Sequence, residues 1–414
     1  MSVGIRHDDL RRRNRAMVIS AVRRDGQPSR TEIAATTGLS HSTISAISSD
    51  LIGECVLMEA RGETTSLKRG RPQVALALNP DAAVVAAVVL SLNFLSAAII
   101  DYTGHVVAEE HRRLDTQHMG REDLIRQCID IVGQGLDRLQ LSGRRVLRIA
   151  LAVQGITDAQ ARILLWTPIT PHTDIPFADL LEARFGIPVI VENDCNMMAE
   201  ALRWRNPERY REDFIAILLS HGIGMGMILK GELFTGTHSS GGEFGHMIHK
   251  PDGARCRCGR RGCVEAYAGN YAIWRNAHGL AESSEPAANI VDDDMQALAA
   301  LAREGDGPER EAYRTAGEAL GFGLGSLFAL IDPAPVAVVG IGAAAFDLIE
   351  PSLRAAIART AGGQHSGSIS FDTEPDERPL IREGCAMRAL TFVDQEIFAP
   401  GSQPQESSRQ AAVI

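Results

Sequence analysis

Three cysteines crowd into eight residues of this chain, and a histidine precedes them: His246, Cys256, Cys258 and Cys263 form the pattern H-x9-C-x-C-x4-C. Thiolates and imidazole are the ligands of a closed, four-coordinate structural zinc site. The intervening Gly253, Gly259 and Gly262 let the backbone fold tightly about one ion, and Arg255, Arg257, Arg260 and Arg261 offset the charge of three thiolates. The total of seven cysteines is odd. An odd count in a reducing compartment argues against a disulfide framework and leaves metal ligation as the use for the cluster. A structural Zn²⁺ on His246, Cys256, Cys258 and Cys263 is therefore expected.

At 414 residues the chain exceeds one ordinary core, so two or three domains are expected. Its apolar share of 45% and charged share of 23% exclude wholesale disorder and fibrous architectures. No apolar run reaches the ~20 residues of a membrane helix. No apolar stretch follows Arg11, Arg12 and Arg13 as an export signal requires, and a cytoplasmic protein is expected. The net charge of −10 is unevenly divided, with +4 on residues 1–80 and −14 on the remainder. A basic head on an acidic body suggests that only the head meets a polyanion.

Residues 1–79 read as that head. Leu10, Met17, Val18 and Val22 recur at helical spacing, and Gly26, Gln27 and Pro28 end the helix. Ser29 with Glu32 makes a capping-box pattern that opens a short helix over 31–37. Gly38 permits a tight turn, and Ser40 can cap a helix over 41–53 that buries Ile44, Ile47 and Leu51. Helix, glycine turn and helix make a helix-turn-helix. The second helix has a face of short polar side chains, His41, Ser42, Thr43, Ser45 and Ser48, which can donate to phosphates and base edges. Residues 56–58 and 74–78 read as the strands of a wing whose edge carries Lys68, Arg69, Gly70 and Arg71, a composition suited to a narrow minor groove. DNA contacts are expected from these residues together with Arg30, Thr31 and Ser40.

Asn79-Pro80 marks a boundary, beyond which strands alternate with helices. Apolar runs at 84–90, 96–100, 147–153, 189–191, 215–219, 225–229 and 336–339 read as strands. Residues 124–139, 177–185 and 311–331 read as helices, the last with Gly317, Gly321, Gly323 and Gly325 for close packing. Two α/β lobes with a cleft between them are expected over 80–398, and a frayed tail rich in Ser, Gln and Pro over 399–414.

Gly242-Glu243-Phe244-Gly245-His246 and Cys256-Arg257-Cys258-Gly259-Arg260-Arg261-Gly262-Cys263-Val264-Glu265 resemble the signature of the ROK family (repressors, open reading frames, kinases), and Glu192-Asn193-Asp194 resembles its sugar-site motif. The resemblance implies a two-lobed sugar-kinase-like domain of the actin/hexokinase, ribonuclease H-like class. With a winged helix-turn-helix in front, it implies a sugar-responsive transcriptional regulator. It places zinc on His246, Cys256, Cys258 and Cys263, and sugar hydroxyls near Asn193, Asp194, Glu243, His246 and Glu265. The residue chemistry agrees, because carboxylates and amides grip vicinal hydroxyls. Asn193-Asp194 can equally serve as the N-cap of a helix running through Trp204.

In ROK kinases the equivalent of Asp194 is the general base, and phosphoryl transfer also needs a phosphate cradle and a metal-binding acid. The family's first phosphate motif, Asp-x-Gly-Gly-Thr-Lys, falls on Val89-Leu90-Ser91-Leu92-Asn93-Phe94, which lacks the acid, the glycines and the lysine. The second, Gly-Thr-Gly-Ile-Gly, reads Ser220-His221-Gly222-Ile223-Gly224; the third survives as Gly340-Ile341-Gly342; and Gln154 replaces the proline before Gly155. The expectation is a DNA-binding regulator of carbohydrate genes, by default a repressor and not an enzyme. Its partners would be operator DNA and a small carbohydrate effector, and its heads would be paired in a homodimer or homotetramer. The alternative is a ROK-type sugar kinase with an appended DNA-binding head.

Overall fold

The computed structural model describes residues 7–60, 74–140, 144–239, 241–287 and 290–400. The head consists of α1 (His7–Asp25), α2 (Arg30–Thr37), α3 (His41–Gly53), β1 (Leu57–Ala60) and β2 (Ala75–Leu78). Its local signals act as read. The Ser29 hydroxyl accepts from Glu32 N at 3.3 Å, and the Glu32 carboxylate accepts from Ser29 N at 2.7 Å. Gly38 closes α2 at φ 72°, and Ser40 Oγ accepts from Thr43 N to open α3. β1 and β2 pair antiparallel from Leu57↔Leu78 to Ala60↔Ala75. The basic wing edge, Lys68, Arg69, Gly70 and Arg71, lies outside the described residues.

The first lobe contains β3 (Val84–Ser91), β4 (Phe94–Asp101), β5 (Val106–Arg113), α4 (Arg121–Gln140) and β6 (Val146–Val153). It continues with a small β7 (Ile156–Thr157) and β8 (Leu164–Trp166) pair, α5 (Phe177–Phe185) and β9 (Val189–Asn193). α6 (Asp194–Arg205) and α7 (Pro207–Tyr210) lead to the second lobe. There β10 (Phe214–Leu219), β11 (Ile223–Leu229) and β12 (Glu232–Leu233) precede α8 (Glu265–Ala268), α9 (Asn270–Ala277), α10 (Asp292–Glu304) and α11 (Pro308–Ile331). β13 (Val336–Val339), α12 (Phe346–Ile357), β14 (Phe371–Glu374) and α13 (Glu377–Phe392) follow, and a π-helical turn, Val393–Phe398, ends the described fold.

The two five-stranded sheets have one topology. Their orders are β5-β4-β3-β6-β9 and β12-β11-β10-β13-β14. In each, the first three strands are antiparallel and the last two join in parallel. β3 is apolar throughout because both its faces are covered: Val84, Ala86, Val88 and Leu90 enter one core, and Val85, Ala87 and Val89 enter another. The glycines of α11 serve close packing, since a Cβ at Gly317 would lie 2.1 Å from Ser352 Oγ on α12.

The head does not close on itself. Its buried Val18, Ile19, Val22 and Ile44 belong to one continuous core with Tyr102, Leu380, Leu390 and Val393 of the body. Arg23 on α1 makes a bidentate pair with Asp394 at 2.8 Å and donates to Tyr102 O, while Tyr102 Oη donates to Asp394 at 2.6 Å. Arg15 donates to Phe398 O at 2.9 Å, and Arg12 pairs with Glu396 at 2.6 Å. One expectation is corrected here. Ala399 is fully buried, so the chain is still packed where a frayed tail was expected. Residues 401–414 lie outside the described residues.

Candidate functional site

The cleft between the lobes gathers the five residues expected at a sugar site. Asn193, Asp194, Glu243, His246 and Glu265 line one cavity together with Gln154, Trp166 and Met225. β9 delivers Asn193 to the start of α6, where its Oδ1 accepts from Asn196 N and its Nδ2 donates to Gly155 O at 2.9 Å. Asn193 is thus both helix cap and cavity wall. Asp194 is buried, and its carboxylate accepts from its neighbour Cys195 N at 2.9 Å. Burial pushes its pKa up to about 7, and the nearby Glu243 charge acts in the same direction. Burial also raises Glu243, against the pull of His246. Glu265 accepts from Ile223 N at 3.0 Å and from Tyr271 Oη at 3.2 Å, which fixes it against the β10–β11 turn.

Several wall residues were not anticipated. Trp166 meets the His246 ring edge-on, with centroids 5.9 Å apart, and gives the cavity an aromatic wall. Gln154, which stands where the family's pocket turn has proline, ties the cavity to the β3–β4 turn by accepting from Leu92 N at 3.3 Å.

His246, Cys256, Cys258 and Cys263 bring one ligand atom each to within 4.8 Å of one another. Cys258 and Cys263 sulfurs are 3.7 Å apart, and Cys256 Sγ is 3.7 Å from His246 Nδ1. A disulfide would need about 2.05 Å. A tetrahedron with Zn–S near 2.3 Å and Zn–N near 2.0 Å requires about 3.8 Å between sulfurs and about 3.6 Å between sulfur and nitrogen. The donor set therefore fits one tetrahedral ion. Neighbouring thiols and His246 lower the Cys258 pKa, favouring the thiolate, the form that ligates metals. Gly262 has φ 82°, and a Cβ there would meet Lys250 O at 1.8 Å, so only glycine closes this loop.

The glycines kept from the second phosphate motif have packing roles. A Cβ at Gly222 would lie 2.8 Å from Glu265 Oε2, and one at Gly224 would lie 2.3 Å from Cys195 Sγ. At the first motif, Leu92 N is taken by Gln154 and Asn93 N by Thr116 Oγ1 at 3.2 Å. Val89 is buried, and the Phe94 ring lies under the Arg378 guanidinium at 4.6 Å. Two backbone amides of this turn are thus engaged by side chains of the chain itself.

On the head, His41, Ser42 and Ser45 are exposed on α3, Thr43 is half-buried, and Ser40 bonds the hydroxyls of Ser42 and Thr43. Ser48 is a correction: it is fully buried beside Ile44 and Ile47, and the exposed serine one residue on is Ser49. A 3.6-residue period turns position 48 inward with 44 and 51. Thr31 is exposed, whereas Arg30 pairs with Glu59 on β1 at 3.2 Å.

The ROK family model matches residues 93–375. The chain belongs to the ROK family. Over 322 residues it is 26% identical to the xylose repressor of Bacillus spizizenii, spanning 77% of this chain and 80% of that protein. It is 24% identical over 351 residues to the DNA-binding transcriptional dual regulator NagC of Escherichia coli K12, spanning 84% and 86%. A crystal structure of a ROK family transcriptional regulator, a homologue of the E. coli MLC protein, superposes with TM-score 0.77 at 21% identity over 94% of this chain and 99% of that one. A Streptomyces griseus ROK glucokinase in complex with glucose and AMPPNP superposes with TM-score 0.59 at 23% identity over 74% of this chain and 99% of that one. These superpositions establish the fold, two α/β lobes with one five-stranded sheet each behind a helical head. No helix among the described residues is long and apolar enough to cross a membrane.

Proposed function

We propose that this ROK protein is a cytoplasmic transcriptional regulator, by default a repressor of carbohydrate genes, and that it performs no phosphoryl transfer. Residues 1–79 form the operator-reading head, with α3 in the major groove and the 68–71 wing edge on the backbone or minor groove. Residues 80–398 form the effector body. Its cleft binds a sugar through Asn193, Asp194, Glu243, His246 and Glu265. His246, Cys256, Cys258 and Cys263 would hold a structural zinc ion that fixes the loop between Glu243 and Glu265, so metal and sugar binding are coupled. A homodimer or homotetramer would present paired heads to a palindromic site.

The observation that carries this reading is the packed route from cleft to head. α6 starts at the sugar residues and packs along α13. α13 ends in the π-helical turn that grips α1 through Asp394. A sugar that favours one lobe arrangement can thereby bias head position, by as much as its affinities for the two states differ. The kinase alternative is opposed by the occupied amides and filled space of the β3–β4 turn.

The test is binding of the purified chain to its own upstream DNA at two salt concentrations, with and without a sugar panel. Salt-sensitive binding that one sugar changes supports the reading. Hexose-dependent ATP turnover would sink it. Asp394→Asn should leave sugar affinity intact while weakening the sugar's effect on DNA binding; an unchanged effect would remove the Arg23–Asp394 pair from the route.

A further inference from the structure

Beside the sugar cavity lies a second one, of about 380 Å³, with Pro168 as a shared wall. The first lobe contributes Gln117 and Pro168 to it, and the metal loop contributes Arg255, Arg257, Arg260 and Arg261. Two of these arginines are committed. Arg257 donates to His221 O at 2.7 Å and Ala287 O at 2.6 Å and lies over the Tyr271 ring, and Arg255 pairs with Glu285. Arg261 gives one nitrogen to Gly253 O at 3.2 Å and keeps the rest of its fork. Arg260 lines this cavity and has no side-chain partner among the described residues.

The two cavities thus have opposite character. The inner one holds three carboxylates, Asp194, Glu243 and Glu265, which accept from hydroxyls and repel anions. The outer one presents guanidinium groups, whose fork geometry suits phosphate and carboxylate. Charge neutralisation does not use them up. A dication on three thiolates and a neutral imidazole leaves a single negative charge, and Glu285 already answers Arg255.

We propose that the effector is a sugar bearing an anionic substituent, a phosphate ester or a carboxylate, with its hydroxyls on the inner acids and its anion on Arg260 and Arg261. This rests on the sugar-sensing reading above and narrows it to a ligand class.

The experiment is calorimetric titration of the full-length, metal-loaded chain with matched pairs. These are glucose and glucose 6-phosphate, N-acetylglucosamine and its 6-phosphate, and xylose and xylose 5-phosphate, with glucuronate and inorganic phosphate alongside. One charged sugar should bind at least about tenfold more tightly than its neutral parent. Arg260→Ala should abolish that preference at unchanged metal content and melting temperature, and Arg260→Lys should restore part of it. A preference for phosphate esters over glucuronate would identify the anion as phosphate, and the reverse as carboxylate. Equal binding of a neutral parent, untouched by Arg260→Ala, would overturn the anion assignment and leave sugar sensing standing. No binding of any sugar, neutral or charged, would remove both, as would binding of inorganic phosphate alone.

Discussion

Two regions of the cleft differ in what they leave free. At the α6 end, five polar side chains converge on a cavity, and Asp194 and Glu243 remain short of internal donors, with pKa values raised by burial. At the β3–β4 turn, Gln154 and Thr116 take the backbone amides, Phe94 lies beneath Arg378, and Asn93 holds φ 55° where a glycine would cost nothing. One region keeps polar groups waiting for a ligand, and the other has satisfied its own. A binding site persists only where the protein declines to complete its own hydrogen bonds. By that criterion retained glycines are poor evidence for a phosphate site, because Gly222 and Gly224 are needed for contact with Glu265 and Cys195.

The strongest way to break the contrast is to remove the loop that carries half the polar end. Cys258→Ser should cut metal affinity by more than about 100-fold and abolish the sugar response, with the β3–β4 end and α3 intact. Metal analysis beside a DNA-binding assay checks this, and full occupancy would disprove the ligand assignment.

Next in size is a proton. Asp194 has its pKa raised to about 7 in the fold. Between the ordinary carboxylate range and that value, the folded chain holds a proton that the unfolded chain has released. The associated stability is complete below about pH 4 and is lost as the pH rises through about 7, at up to roughly 1.4 kcal/mol per pH unit. Asp194→Asn should flatten that slope in urea titrations from acid to neutral pH; an unaltered slope would place the proton elsewhere.

Smaller effects sharpen each end. Glu243→Ala should weaken the effector about tenfold while sparing DNA affinity, and a normal sugar response would take Glu243 out of the site. Gln154→Ala should destabilise the turn by about 1 kcal/mol and create no nucleotide turnover. Any ATPase activity gained on freeing Leu92 N would overturn the reading of this turn as closed to phosphate.

The sequence discloses what is encoded over short spans. The metal loop is legible because its four donors lie within eighteen residues, and the head because Ser29–Glu32, Gly38 and Ser40 are adjacent caps. Phase errors enter where one residue of rotation decides exposure, as at Ser48 and Ser49. The last stretch, β14, α13 and the π-helical turn, has no such signal. β14 and α13 pack within the body, whereas the turn makes contacts with α1 more than 370 positions away, and no local periodicity reports a partner at that distance. Trp166 escaped as a site residue for the same reason: it meets His246 from the opposite side of the cleft.

The grip of Val393–Phe398 on α1 also sets an order of events at the ribosome. Arg15 and its acceptor Phe398 are 383 positions apart. At translation speeds of about 5–20 residues per second, the helix-turn-helix emerges roughly 20–80 s before the turn that seats it. A growing chain therefore exposes an unseated head throughout that interval. Premature termination anywhere before Asp394 yields a head without the Arg23–Asp394 pair that seats it.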